Sequence, residues 1–372
     1  MILIKFFFLF SALVKNSLHN VMIQSSYSSI VGKYMILVKI ERYNESLFKT
    51  INLQTTESFF EDLNNDNKEI LDIHEKTIKN RTFKFNLLQD KIIFDGGDAD
   101  LMFYEKLDNI DIDKFSGMSF GLNPMNQSFS LLHSLFNKGK IEHLKIAFEP
   151  TSTAIGVFYI GGLPQSVVTN KYKGECHSKD KWGCHLDMII FNYTKDNYTT
   201  YNCNREIYFQ TAINGISVTN DFINFIENKV LYNYFTSQSC YYSSDKRKRI
   251  KCNREILNDE TLTTMKIGFV FEGKVYYLSF SFLFESIFDE SSECLSLIIE
   301  ENQHSNDWYF GGLFLSNFIS EFDYETKTVS LYSDTKIEVI ENGIEKNILM
   351  GNIILLIITI IVNLYIRKNI NI

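Results

Sequence analysis

The feature that most limits what this chain can become is the spacing of its apolar residues. Short runs of aromatic and β-branched side chains alternate with polar ones, most plainly in Tyr34-Met-Ile-Leu-Val-Lys-Ile40, Lys266-Ile-Gly-Phe-Val-Phe271 and Val275-Tyr-Tyr-Leu-Ser-Phe280. A period of two puts every second side chain on one face, so such runs form half-buried strands rather than helices. Glu272-Gly273-Lys274, between two of them, reads as a hairpin turn in which glycine supplies the backbone freedom. Only three prolines interrupt 372 residues, and 15% are aromatic, so the strands can be long and well packed. Ser128 to Phe136 departs from the pattern: its apolar residues recur at helical spacing and Gly139 ends the run. The expectation is a mostly β protein, large enough for two domains or one bilobal domain.

Both ends carry apolar segments of a different kind. Lys5 followed by Phe6-Phe-Phe-Leu-Phe-Ser-Ala-Leu-Val14 is basic, apolar and too short to span a bilayer, so residues 1–20 read as a signal peptide, with a buried strand as the alternative. Ile348 to Ile366 is broken only by Gly351, Asn352, Thr359 and Asn363, and Arg367-Lys368 follows at once. About nineteen residues at ~1.5 Å each give roughly 28 Å, near the thickness of the hydrocarbon layer. Residues 348–366 are therefore expected to be a transmembrane helix, preceded by a stalk at 336–347 and followed by a cytoplasmic tail at 367–372. This describes a type I membrane protein of the secretory pathway or cell surface. A glycolipid anchor is the alternative, but such signals usually end with the apolar tail.

That address is oxidising, so disulfides are the default for the six cysteines. Cys176-His177 and Cys184-His185 could hold zinc, but a local disulfide fits a secreted β protein better, and no metal or cofactor is expected. The pairing of Cys176, Cys184, Cys203 and Cys240 stays open. Glycosylation sequons at Asn44, Asn80, Asn126, Asn192 and Asn197 fit the same address. A net charge of -8 argues against a nucleic-acid partner. The one basic run, Lys246-Arg-Lys-Arg249, reads as a solvated hairpin tip, with a processing site as the sharper alternative.

From residue 34 to residue 332 a series of landmarks resembles the pepsin-like aspartic peptidases (family A1). Phe115-Ser-Gly-Met-Ser-Phe-Gly-Leu-Asn-Pro124 is similar to that family's Phe-Asp-Gly-Ile-Leu-Gly-Leu segment, whose glycines let a strand pass close behind the active-site turn. Gly156-Val-Phe-Tyr-Ile-Gly-Gly-Leu-Pro164 matches the strand and turn that end the N-terminal lobe. Trp182-Gly-Cys-His-Leu-Asp-Met-Ile-Ile190 resembles a Trp-x-x-x-Leu-Asp-x-Ile strand, and Trp308-Tyr-Phe-Gly311 with Phe322-Asp-Tyr-Glu-Thr-Lys-Thr-Val329 the closing hairpin. The resemblance implies a bilobal β fold with a cleft between lobes 21–165 and 166–335. It also implies a disulfide between Cys252 and Cys294.

Family members carry an Asp-Thr/Ser-Gly turn in each lobe, and this chain has none. Setting Tyr34–Ile40 on the family's first strand puts Gln54, in Leu53-Gln-Thr-Thr-Glu-Ser58, at the first catalytic aspartate. Setting Gly215 and Ser217 in register puts Ile213, in Gln210-Thr-Ala-Ile-Asn-Gly-Ile-Ser217, at the second. The mechanism needs two carboxylates too close for both to ionise, one serving as base and one as acid. Neither glutamine nor isoleucine can exchange a proton, so an inactive member that binds a peptide or protein in its cleft is expected.

A rival register puts Asp95 of Ile92-Ile-Phe-Asp-Gly-Gly-Asp-Ala-Asp-Leu-Met-Phe103 at the first aspartate. The protein would then be an active aspartic endopeptidase with a second carboxylate still to be placed, Asp221 being the nearest candidate. Only 26 residues separate Asp95 from Gly121, too few for the flap hairpin and two further strands that the family puts between them. In the preferred register this segment is the flap, with Phe94 near the family's flap tyrosine and Asp108 to Ile112 as its return strand. Between residue 20 and Tyr34 there is no room for the family's inhibitory propeptide, which agrees with the absent aspartates.

Overall fold

The computed structural model describes residues 21–339 except 29–32, 41–44, 53–58, 61–70, 79–80, 95–96, 107–118, 122–125, 152–154, 179–180, 195–196, 212, 244–248, 287–293 and 303–304. Among the described residues strands dominate, as the period-two pattern requires. Lys33–Ile40, Lys266–Phe271 and Lys274–Ser279 are all strands. Phe271 pairs directly with Lys274, so the turn between the last two is Glu272-Gly273 alone. Both residues have positive φ, 47° and 75°, the geometry that lets a two-residue loop follow the twist of its strands. The helical stretch is Leu131–Asn137, which buries Leu131, Leu132 and Leu135. It is capped by Ser130, whose hydroxyl accepts from the His133 amide at 3.3 Å, and Gly139 at φ 66° turns the chain out.

Two lobes share one sheet. Its path Tyr172–His177, Thr328–Ser333, Ile319–Asp323, Lys145–Pro150, Ile155–Ile160, Val21–Ser28 takes three strands from the second half and then three from the first. At the seam Ile319–Asp323 pairs antiparallel with Lys145–Pro150. Lys145 Nζ lies 2.9 Å from the Asp323 carboxylate there, and Asp323 Oδ1 also accepts from the Glu325 and Thr326 amides. The first lobe continues the sheet through Lys33–Ile40 into the long hairpin Arg81–Phe94 and Gly97–Lys106. The second lobe adds an eight-stranded and a four-stranded sheet. Its core is aromatic: the Phe310 and Phe314 rings lie 4.6 Å apart, and Phe269 meets Phe314 at 5.2 Å, both edge to face. Each such pair adds about 0.5–1.5 kcal/mol beyond the area it buries.

Three expectations change. Cys252 bonds Cys240, not Cys294, and a second disulfide joins Cys176 to Cys184. The reason is pleat parity. Cys240 and Cys252 stand directly opposite on Cys240–Tyr242 and Ile250–Asn253, 4.0 Å apart at Cα, whereas Cys294 stands opposite Asn253 and so faces the other side of the sheet. There its Sγ lies 3.2 Å from the Tyr241 hydroxyl.

Second, the expected stalk at 336–347 is docked at its start, because Glu338–Val339 pairs with Lys274 and Val275 as an edge strand. Third, Phe94 does not project as a flap residue would: its ring is 5% exposed and belongs to the core, since Arg81–Phe94 pairs at this point with Lys33–Ile40 as well as with its own return strand. That return strand is Gly97–Lys106; residues 108–112 lie outside the described residues, as do Gln54, Asp95, Asn44 and Asn80. So do residues 1–20 and 340–372, with the apolar segment 348–366. Among the described residues no helix is long and apolar enough to cross a membrane.

Candidate functional site

The second lobe contains a crossing in which one strand runs behind a turn. Asn197–Phe209 pairs in parallel with Trp308–Phe310, and beyond Phe209 the chain turns through residues 210–215 before Ile216–Val218. Backbone hydrogen bonds tie the turn down from behind. The amides of Gly311, Gly312 and Leu313 donate to the carbonyls of Gly215, Ile213 and Asn214 at 2.8, 2.8 and 2.9 Å. Within the turn the Ile213 amide donates to the Gln210 carbonyl at 3.1 Å.

Two glycines make this approach possible. A Cβ on Gly311 would lie 2.3 Å from the Ile213 carbonyl oxygen, 2.4 Å from that of Gly215 and 2.8 Å from that of Asn214. A Cβ on Gly215 would lie 1.9 Å from the Ile298 carbonyl oxygen. All four contacts are with backbone, which cannot swing away as a side chain can. The requirement is close packing rather than unusual dihedrals, since Gly311 has an ordinary φ of -89°.

The side chains on the turn carry no proton chemistry. Residues 210–215 read Gln-Thr-Ala-Ile-Asn-Gly, none of which titrates at an accessible pH. Ile213 is half-buried, and Thr211 is fully buried. The turn is uncharged and held from behind by backbone hydrogen bonds.

The first lobe repeats the crossing in outline. Glu45–Asn52 pairs in parallel with Ser119–Gly121, Ile51 opposite Phe120 and Asn52 opposite Gly121. In the second lobe Phe209 pairs with Phe310, the residue before Gly311, so Ile51 is the counterpart of Phe209. Counting equally far beyond each strand makes Thr55 the counterpart of Ile213, next to Gln54. Residues 53–56, Leu-Gln-Thr-Thr, contain no carboxylate in either register.

Asp95 lies outside the described residues; the flanking Phe94 and Gly97 pair directly across an antiparallel hairpin. Asp221 opens the helix Asn220–Phe225, beyond the crossing, and accepts a hydrogen bond from the Tyr201 hydroxyl. Burial alone would push its carboxyl up, but hydrogen bonds from Thr219 and Tyr201, with the charge of Arg205, outweigh this and hold it below the usual carboxylate range. A carboxyl held ionised in this way is a poor general acid.

Among the described residues no group of His, Cys, Asp and Glu could hold a metal ion, and the Cys176–Cys184 bond occupies both thiols of the zinc candidate. His177 and His185 face carboxylates instead: His177 Nδ1 is 3.0 Å from Glu272, and His185 Nδ1 is 3.4 Å from Glu206. Of the described sequons, Asn126 and Asn197 are exposed at bends and strand ends. Asn192 is half-buried in Gly183–Thr194, a strand paired on both sides, with its side-chain oxygen buried. Arg249, last of the basic run, is held by Glu300 through Nε at 3.1 Å and Nη2 at 2.9 Å.

Two β lobes joined through a shared sheet, each with a short parallel strand pairing, 50–52 with 119–121 and 207–209 with 308–310, define the architecture of the bilobal aspartic proteinases. The structure superposes on the aspartic proteinase from Irpex lacteus with a TM-score of 0.63 over 84% of this chain and 97% of that one, at 13% identity. The family described as eukaryotic aspartyl protease matches residues 117–333, more than half of the chain. The protein belongs to that family. No curated protein matches it. The family match takes in the 210–215 turn and begins after the first-lobe segment that holds Gln54.

Proposed function

We propose that this protein is a membrane-anchored pepsin-like pseudopeptidase that lacks both catalytic aspartates and binds a peptide or protein ligand in the cleft between its lobes. The observation that carries the reading is the 210–215 turn. Its backbone is clamped by Gly311 and Gly312 where the family positions an aspartate, and its side chain there is that of Ile213. On the first-lobe side neither Gln54 nor Thr55 supplies a carboxylate. Without a proton-sharing pair no group can activate water, and loss of general acid-base work alone costs roughly 10² to 10⁴ in rate. A retained scaffold without chemistry leaves binding as its use.

The anchoring rests on sequence: the apolar segments at 1–20 and 348–366 and the basic pair Arg367-Lys368 support a type I orientation along the secretory route or at the cell surface. The two disulfides agree with an oxidising compartment. Among the described sequons, Asn126 and Asn197 have the exposure that suits a glycan and Asn192 does not.

The competing reading is an active aspartic endopeptidase using Asp95 with a second carboxylate. The antiparallel pairing of Phe94 with Gly97 and the engagement of Asp221 by Tyr201 and Arg205 both weigh against it. The test is proteolysis of unfolded substrates by the purified ectodomain at acidic pH. No cleavage above background is expected, in the wild type or in Asp95→Ala. Cleavage that a transition-state mimic blocks, and that Asp95→Ala abolishes, would sink the proposal.

A further inference from the structure

A second feature of the second lobe lies away from the turn. Parallel pairing of Asn197–Phe209 with Trp308–Phe310 begins at Ile207 and Trp308, so residues 203–206 extend past it. Beside them is an open depression of about 680 Å³, lined also by residues 219–221 and by 306–307. About 13 Å of strand separates Arg205 from Phe209, where the turn begins.

Arg205 is built into the wall of this cavity. Its guanidinium carbon lies 4.7 Å from the ring centroid of the fully buried Trp308, a stacking that fixes its plane. Nη1 donates to the Thr219 hydroxyl at 3.2 Å, and Trp308 Nε1 donates to the same oxygen at 3.0 Å. The Asp221 carboxylate is 3.9 Å from Nη2, an ion pair beyond hydrogen-bond reach. One Nη1 hydrogen is used by Thr219 and Nε is buried, so among the described residues the donors left to face the cavity are those remaining on Nη1 and Nη2.

The cavity lining carries three carboxylates, Glu206, Asp221 and Asp307, and three carboxamides, Asn204, Asn220 and Asn306; Glu206 and Asn204 also contact His185 at 3.4 and 3.1 Å, and Asp221 and Asp307 accept from the Tyr201 and Tyr309 hydroxyls. We propose that the cavity binds a neutral, hydroxyl-rich ligand, a saccharide unit. Three carboxylates against one guanidinium make the lining anionic, which repels phosphate and other anions. No Val, Leu, Ile, Met or Phe lines it, so an apolar molecule would strip water from polar groups and return nothing. Arg205 at the centre opposes a polyamine. Adjacent sugar hydroxyls each donate and accept, which suits carboxylates beside a guanidinium and carboxamides. The volume is in the range of small-molecule sites.

The experiment titrates the purified full chain with methyl glycosides of glucose, galactose, mannose and N-acetylglucosamine, with phosphate and spermine as comparators, by saturation-transfer NMR and calorimetry. At least one glycoside should bind saturably. Its Kd should rise at least tenfold in Asn306→Ala and in Asp307→Ala, rim changes that leave Tm in place, and also in Arg205→Lys, which keeps the charge and loses the fork. No saturable glycoside binding, affinity unchanged in the rim variants, or a preference for phosphate or spermine would each overturn the proposal. None of these outcomes bears on whether the interlobe cleft has lost its chemistry.

Discussion

The two strand crossings of this molecule are alike in backbone plan and different in what they carry. In the second lobe, Trp308–Phe310 runs parallel to Asn197–Phe209, and Gly215 and Gly311 let the turn and the strand behind it touch. In the first lobe the parallel pairing and Gly121 are kept, but the segment that follows, Leu53-Gln-Thr-Thr-Glu-Ser58, has neither glycine nor an Asp-Thr/Ser-Gly turn. The difference teaches that packing and catalysis are separate demands on such a turn. The glycines answer to backbone that a Cβ would meet at under 3 Å, whatever side chain stands at 213. A carboxylate answers only to chemistry and can be absent without disturbing the clamp.

The comparison breaks first at Gly311. Gly311→Ala drives a methyl into three backbone carbonyls and should cost about 3 kcal/mol or more, read as a fall in the urea midpoint or as failure to express folded protein. Gly139→Ala is the control. Its Cβ would meet nothing within 4 Å, so only the positive φ of 66° is penalised, at about 1 kcal/mol. Equal costs at the two positions would mean that the clamp is not as tight as described.

The disulfide of the second lobe comes next. Cys240→Ser should destabilise by about 2–3 kcal/mol, while Cys294→Ser should cost less than about 1 kcal/mol. Peptide mapping of the unreduced protein should find Cys240 linked to Cys252; a Cys252–Cys294 peptide would contradict the register of that sheet.

What couples the two halves is the seam pair Lys145 and Asp323. Burial alone would push the Asp323 carboxyl up, yet the hydrogen bond from Lys145 and those from Thr326 outweigh it and hold it below the usual range. Burial pulls Lys145 down, but the hydrogen bond to Asp323 and the nearby Glu321 and Asp323 charges raise it overall. A depressed carboxyl stabilises the fold above its unfolded pKa, and that contribution disappears as the pH falls through the folded value. The raised lysine keeps its contribution through neutral pH and loses it only as the pH rises through its own folded value. Asp323→Asn should therefore cost about 2 kcal/mol near neutrality, less than a fully buried pair because Lys145 is partly exposed. The difference from wild type should shrink in strong acid, as followed by thermal unfolding across pH.

The smallest effect expected is on activity. Ile213→Asp restores a carboxylate to the second turn, but with no partner at 53–56 proteolysis should stay at background. Activity gained by this one change would show that the first lobe supplies a carboxylate after all.

Much of the fold is legible in the sequence because alternation, turn glycines and the Ser130 cap act locally. Glu272-Gly273 and the 131–137 helix need no tertiary information. The Cys240–Cys252 pairing could have been read as well, since the two cysteines sit symmetrically about residue 246 in a segment whose sequence reads as a hairpin tip. Inference from the family pointed to Cys294 instead. The Arg205, Thr219 and Trp308 arrangement was not legible, because it joins residues up to 103 positions apart by parallel pairing, and no local pattern announces that.

The most direct test is a crystal structure of the protein, read at the floor of the interlobe cleft. Ile213 should stand on its clamped turn, faced from the first lobe by Gln54 or Thr55 and by no carboxylate. Asp95 or any other carboxylate within hydrogen-bond reach of the 213 turn, sharing a water with a second acid, would contradict it.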